Sequence, residues 1–124
     1  MRPALSSYVG IQNATRSSVV AERCRVATSF WARMVGLLRS PEPEPGQGLL
    51  IRRAQSIHTW FMRYPIDVVF IDRSWRVTRT AERLRPWRTV LWARGARDCI
   101  ELRTGSIAAS DTRPGDELEL TEIR

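Results

Sequence analysis

The single histidine of the chain, His58, is followed closely by a hydroxyl, an aromatic wall, a guanidinium and a carboxylate: Thr59, Trp60, Arg63 and Asp67. No other stretch sets an acid-base group beside so many partners. In an enzyme, Asp67 would orient the imidazole of His58, and Thr59 or a water would act as nucleophile. An extended backbone argues against part of that scheme. On a strand His58 and Trp60 share one face while Thr59 points to the other, so His58 and Thr59 cannot exchange a proton. The same residues suit a non-catalytic pocket, with Trp60 as its apolar wall and Arg63 as an anion contact. A purely structural use is also consistent with the pattern: Asp67 would then pair with Arg63 or accept backbone amides at the mouth of a buried strand. Two side chains, His58 and Asp67, fall short of the three or four protein ligands that a stable metal site needs. No catalytic residue, metal ligand or cofactor is assigned.

A second group lies further on, where Arg83, Arg85, Trp87, Arg88, Trp92, Arg94 and Arg97 interleave guanidiniums with aromatic rings. Such a surface neutralises phosphates and stacks bases, so nucleic acid is the rival partner. It is not the favoured one, because Glu82 and Asp98 dilute the run and no nucleic-acid-binding signature accompanies it.

Composition narrows the field. The formal net charge is +7, and all 20 basic side chains are arginines. Schiff-base or general-base chemistry by lysine is therefore excluded, whereas anion binding stays open. Glycine-rich phosphate loops, dinucleotide fingerprints, GxSxG elbows and HExxH pairs are absent from the sequence, which disfavours NTPase, dehydrogenase, serine hydrolase and metalloprotease readings. Cys24 and Cys99 have neither CxxC spacing nor accompanying histidines; they read as two buried thiols on strands, with a disulfide between them as the alternative. No apolar run reaches the ~20 residues of a membrane span or forms a secretory h-region, so the expected compartment is the cytoplasm.

The elements that must position these residues follow from periodicity. Met1–Ser18 is polar and aperiodic and is expected to be a loose arm. Residues 19–124 then form one globular domain. Val20, Glu22, Cys24 and Val26 alternate with their neighbours, predicting a half-buried strand to Ala27. Thr28 or Ser29 can cap a helix whose stripe is Phe30, Met34, Leu37 and Leu38, stopped by Pro41. Pro41–Gly48 is a proline-stiffened loop and Leu49–Ile51 a short buried strand. Ile57–Met62 alternates, and Ile66–Asp72, apolar on both parities, predicts a strand buried on both faces. Asp72–Trp75 should turn the chain into a hairpin with Arg76–Thr80. Glu82–Arg97 reads as a surface excursion with one strand near Val90–Trp92. Cys99–Arg103 is a strand, Gly105–Ser110 a helical turn, Pro114–Asp116 a turn, and Glu117–Glu122 the last strand.

Several stretches together resemble a known family: Gly36-Leu37-Leu38-Arg39, Gly48-Leu49-Leu50-Ile51, the run His58-Thr59-Trp60-Phe61-Met62-Arg63-Tyr64-Pro65-Ile66-Asp67-Val68-Val69-Phe70-Ile71-Asp72, Leu84-Arg85-Pro86-Trp87-Arg88, Ile100-Glu101-Leu102 with Gly105, and Gly115-Asp116. The resemblance is to domain-of-unknown-function family 192 and spans about residues 21–120. It implies a small β-rich domain with short helices, found in bacteria and archaea in exported and unexported forms, and it implies no function. The chain departs from the family in one place, with Ser74-Trp75 where members usually carry a hairpin glycine.

The reading as a whole is an α+β, β-rich single domain: a curled antiparallel sheet or partly closed barrel with one or two short helices. Its leading function is a non-catalytic binding or accessory module centred on His58, Trp60, Arg63 and Asp67, with an unidentified ligand or protein partner. The alternatives are nucleic-acid binding through Arg83, Arg85, Trp87, Arg88 and Arg94, and a small enzyme using His58 with Asp67.

Overall fold

The computed structural model describes residues 7–27, 42–57, 64–86 and 91–123. In chain order its elements are β1 (Tyr8–Asn13), β2 (Ser18–Ala27), β3 (Gln47–Ile51), β4 (Ser56–Ile57), β5 (Ile66–Ile71), β6 (Val77–Leu84), β7 (Leu91–Trp92), β8 (Asp98–Arg103), α1 (Ser106–Ser110) and β9 (Leu118–Ile123). Seven strands form one sheet in the order β6-β5-β8-β3-β2-β1-β9, and β4 pairs with β7 as a separate ribbon. The large sheet curls without closing. Its two edges touch at one corner through an Arg76–Glu117 bridge, a 2.8 Å bond from the Leu118 amide to the Trp75 carbonyl and another from the Val77 amide to the Asp116 carbonyl.

Strand β5 lies inside the sheet, between β6 and β8, because its sequence allows nothing else. All six residues are buried, as the unbroken Ile66-Asp67-Val68-Val69-Phe70-Ile71 run predicts. Val69 and Ile71 join Ile100, Leu102, Leu50, Cys24, Val9 and Ile11 on the inner face; Ile66, Val68 and Phe70 join Leu49, Ile51, Cys99 and the small residues Ala27, Ala93 and Ala96 on the other. Five apolar side chains on one strand, at about 1.5–3 kcal/mol each, contribute on the order of 10 kcal/mol of gross burial before entropy is counted. The two cysteines lie in opposite layers, both buried and neither in a disulfide, so the disulfide alternative is ruled out by the sheet standing between them.

Three expectations need correction. The arm expected over Met1–Ser18 is, from Tyr8 onward, a strand of the sheet: β1 lies between β2 and β9 with Val9, Ile11 and Asn13 fully buried. Its inward positions are Val9, Ile11 and the polar Asn13, so only two apolar residues mark the alternation, which is why the run reads as aperiodic. Asn13 is satisfied there, donating to Thr112 Oγ1 and Asp116 Oδ2. The sheet is also not wholly antiparallel, since β2 and β3 pair in parallel. Parallel neighbours need a crossover between them, and residues 28–46 supply it. On β2 the buried set is Val20, Ala21, Cys24 and Ala27, because two register shifts against β1 insert extra residues and break the period of two.

Other expectations hold. The β5–β6 hairpin forms without the glycine. Trp75 takes a left-handed φ of +62°, at a cost of about 1–2 kcal/mol. Asp72 Oδ1 accepts the amides of Ser74 and Arg76, and Trp75 packs against the inner core, which offsets the strain. The surface excursion shortens, because β6 runs to Leu84, and it carries β7 where a strand was expected. Strand β8, helix α1 and strand β9 lie within a residue or two of their expected bounds. The helix expected after Thr28 and the strand expected through Met62 fall outside the described residues.

A carboxylate ties the far corner. Asp116 Oδ2 accepts from Asn13 Nδ2 (3.0 Å), Arg16 Nε (3.1 Å) and the Arg113 amide (2.9 Å), fastening the β1–β2 turn to the turn before β9. Burial alone would raise this carboxyl, but the bonds from Asn13, Arg16 and Arg113 outweigh it and hold Asp116 below the usual range.

Candidate functional site

Asp67 stands on β5 with its side chain fully buried, and each of its oxygens is in use. Oδ1 accepts the Arg83 amide at 2.9 Å; Oδ2 accepts the amides of Gly105 at 3.1 Å and Ile107 at 3.0 Å. The reason lies in local backbone chemistry. A register shift between Ile66–Leu84 and Val68–Ala81 throws Arg83 out of the β5–β6 ladder at a left-handed φ of +51°, and its amide needs an acceptor. Helix α1 starts at Gly105 with φ +93° and no capping side chain of its own, so its first amides need one too. One carboxylate serves both. Three of its roughly four lone-pair positions are thereby spent on backbone amides, in line with the structural use weighed for this residue.

The other end of β5 has a matching device. Asp98, fully buried at the start of β8, accepts the Arg53 amide at 3.0 Å and Arg52 Nε at 3.1 Å through Oδ1. Arg53 is again left-handed, with φ +58°. Asp98 Oδ2 is buried with no hydrogen-bond partner among the described residues. Backbone bonds complete the frame: the Ala54 amide to the Arg97 carbonyl (2.8 Å), the Ala93 amide to the Gln55 carbonyl (2.9 Å) and the Arg97 amide to the Ile71 carbonyl (2.7 Å).

This frame encloses an open cleft of about 810 Å³, lined by Arg53, Gln55, Ser56, Asp72, Arg73, Ser74, Gly95, Ala96 and Arg97. The ends of β3 and β5 and the start of β8 bring these loops together, because β8 runs antiparallel between the other two. The cleft is polar, and its size is that of a small-molecule site. Ser56 opens β4, and the chain passes from it through Ile57 directly into His58.

Of the residues singled out by sequence, His58, Trp60, Arg63, Trp87 and Arg88 lie outside the described residues. Arg83 and Arg94 are not brought together. Arg83 binds Asp67 near the start of β5, whereas Arg94 sits in the turn three residues before Arg97, which binds the strand's last residue. About five strand rises, roughly 16 Å, separate the two ends. Arg85 follows β6 at the Arg83 end. No three His, Cys, Asp or Glu side chains among the described residues are grouped so as to hold a metal ion. No described helix is long and apolar enough to cross a membrane.

Sequence reasoning missed Arg53 and Arg73. Each is one arginine among 20. Only the adjacency of the β3 and β5 ends unites them with Arg97. It also missed Glu101, buried on β8 between Leu49 and Val68. A charge inside the otherwise apolar Ile100-Glu101-Leu102 was the available signal. Burial, helped by the carboxylates of Glu101 and Glu42, raises the Tyr64 phenol.

Comparison with known proteins agrees with this architecture. The family model DUF192, described as an uncharacterised ACR, matches residues 11–120, thus beginning inside β1 and ending inside β9. A UPF0127 protein of Thermococcus sibiricus is 33% identical over 111 residues, covering 86% of this chain and 71% of that one. A UPF0127 protein of Pyrococcus furiosus is 31% identical over 113 residues, covering 86% and 94%. Among solved structures, a protein of unknown function from Novosphingobium aromaticivorans superposes with a TM-score of 0.72 at 21% identity, covering 96% of this chain and 93% of that one. A candidate transcription regulator from Sinorhizobium meliloti superposes with a TM-score of 0.76 at 19% identity, covering 97% and 98%. At these identities the two structures speak for the fold alone.

Proposed function

The chain belongs to the uncharacterised family DUF192, and we propose that it works as a non-catalytic binding module whose site is the cleft at the β3, β5 and β8 loop end together with the motif that leads out of it. The observation that carries this reading is the way the cleft is built. Its walls are pinned by backbone bonds and by the buried Asp98 carboxylate, so the shape is held without a ligand and little ordering entropy is lost on binding. His58, Trp60 and Arg63 are the contacts that the motif adds from beyond Ser56. Asp67 acts by position: it fixes the start of β5, immediately after the motif. A catalytic dyad of His58 with Asp67 is the weaker reading, since Asp67 is sealed and already holds three amides.

The single imidazole provides the test. His58 is followed by NMR across pH while metabolite pools, divalent metals and oligonucleotides are added in turn. A resonance that moves with one pool supports the site. An imidazole that titrates near its ordinary value of about 6.5 and ignores every pool would refute it.

A further inference from the structure

We propose that the cleft takes a compact oxyanion, a phosphate monoester or a small polycarboxylate, gripped by Arg53 and Arg97. This assignment rests on the binding reading above and names its ligand class.

Several of the described arginines are already occupied. Arg16 is paired with Asp116, Arg52 with Asp98, Arg76 with Glu117 and Arg113 with Asp111. Arg53 and Arg97 have no side-chain partner among the described residues, although their backbones are tied down by Asp98 and Ile71. Guanidiniums on an anchored backbone, facing one cleft, present fixed donor forks of the kind that match phosphate and carboxylate oxygens in pairs. Arg73 also lines the cleft and adds a third positive charge while engaged elsewhere in the chain. The one carboxylate in the lining, Asp72, already accepts two amides through Oδ1. Arg53 and Arg97 set two guanidiniums against this one carboxylate, whose Oδ1 is already engaged, so the cleft favours an anionic head group.

The neutral lining sets the ligand's body. Gln55, Ser56 and Ser74 offer hydrogen bonds, Gly95 leaves open space where a side chain would stand, and among the described residues no aromatic or large aliphatic side chain lines the cleft. About 810 Å³ leaves room for a sugar-sized body behind the anionic head.

The experiment titrates the full chain, ¹⁵N-labelled, with inorganic phosphate, glucose 6-phosphate, citrate, glucose and spermidine, reading the amide shifts of Ser74, Gly95 and Ala96. Phosphate and glucose 6-phosphate are expected to move these amides, or citrate if carboxylate is the true head group. Glucose and spermidine should not. Arg53→Gln and Arg97→Gln, each checked for an unchanged melting temperature, should each weaken binding about tenfold, and added salt should weaken it further. Shifts caused by glucose or spermidine in place of the anions would overturn the oxyanion assignment while leaving a binding cleft. Anion shifts unaffected by both substitutions, or silence from all five probes, would also overturn it. The binding reading itself is decided separately, by the His58 titration.

Discussion

Replacing Asp67 with alanine should be among the most damaging single changes on β5, and the structure sets its size. The side chain accepts three amides at 2.9, 3.1 and 3.0 Å. Bonds to a charged acceptor contribute about 1.5–3 kcal/mol each, and a buried amide left without one forfeits its full desolvation cost. The Ile107 amide is buried, whereas those of Arg83 and Gly105 are partly buried and can recruit water once the carboxylate is gone. The expected loss is therefore about 3–5 kcal/mol rather than the sum of three full bonds, a large share of the roughly 5–15 kcal/mol that holds such a domain. Asparagine is the informative companion. One orientation keeps its carbonyl on Gly105 and Ile107 and turns its amide group against the Arg83 amide, so about 1–3 kcal/mol should be lost. Urea denaturation gives the totals and native-state hydrogen exchange assigns them. In Asp67→Ala the Gly105, Ile107 and Arg83 amides should all exchange faster. In Asp67→Asn the Arg83 amide alone should accelerate, or the other two together if the side chain flips. An alanine variant within about 0.5 kcal/mol of wild type, with the Ile107 amide still protected, would refute the account of Asp67 as the clamp between bulge and helix.

Three further outcomes concern a close-packed glycine, a clamped carboxylate and two buried thiols. At Gly48 a Cβ would meet the Glu101 carbonyl at 2.8 Å, Cys24 Sγ at 2.9 Å and Leu102 Cδ2 at 3.0 Å; Gly48→Ala should cost about 2 kcal/mol or more by urea denaturation, and Cys24→Ala should not rescue it, because the backbone oxygen cannot retreat. Asp116 is held below its unfolded-state value, so the stability it contributes is complete above the unfolded carboxyl range and disappears as pH falls through the folded value; the melting temperature of wild type should drop more steeply than that of Asp116→Asn on acidification below about pH 4, and parallel curves would contradict this. Burial pushes the Cys24 thiol up to about 12, and Cys99 is fully buried, so a thiol reagent at pH 8 should label neither in the native protein and both after unfolding; rapid native labelling would show that the core opens.

How far the sequence foretold this molecule varied with how local the cause was. The β5 run is apolar on both parities, so its burial on two faces needs no knowledge of its partners. The β1 strand is buried through Asn13, whose partners Thr112 and Asp116 lie at the far end of the chain, so no window around Asn13 contains the reason for it. The β2 register shifts depend on β1 in the same way. For the candidate site, the structural use weighed for Asp67 was legible because a carboxylate at the mouth of a buried strand must find donors, though which donors was not. The cleft was invisible for a different reason. Arg53, Arg73 and Arg97 are scattered in sequence and alike in type with every other basic residue, and only the order of β3, β8 and β5 makes them neighbours.

The pairing of β1 with β9, in which Tyr8 faces Ile123, governs how the polypeptide must acquire its shape in time. During synthesis β1 emerges long before its second neighbour exists. Until then Val9 and Ile11 belong to a strand with an open ladder on one side, a template for another chain. The crossover to β3 and the return to β9 both close long loops before any contact rewards them, which places folding in the slow, millisecond-to-second class of topologies rather than among fast helical domains. A truncation that removes β9 would prolong that unfinished state indefinitely, and its outcome should be aggregation through the β1 edge rather than a smaller stable domain.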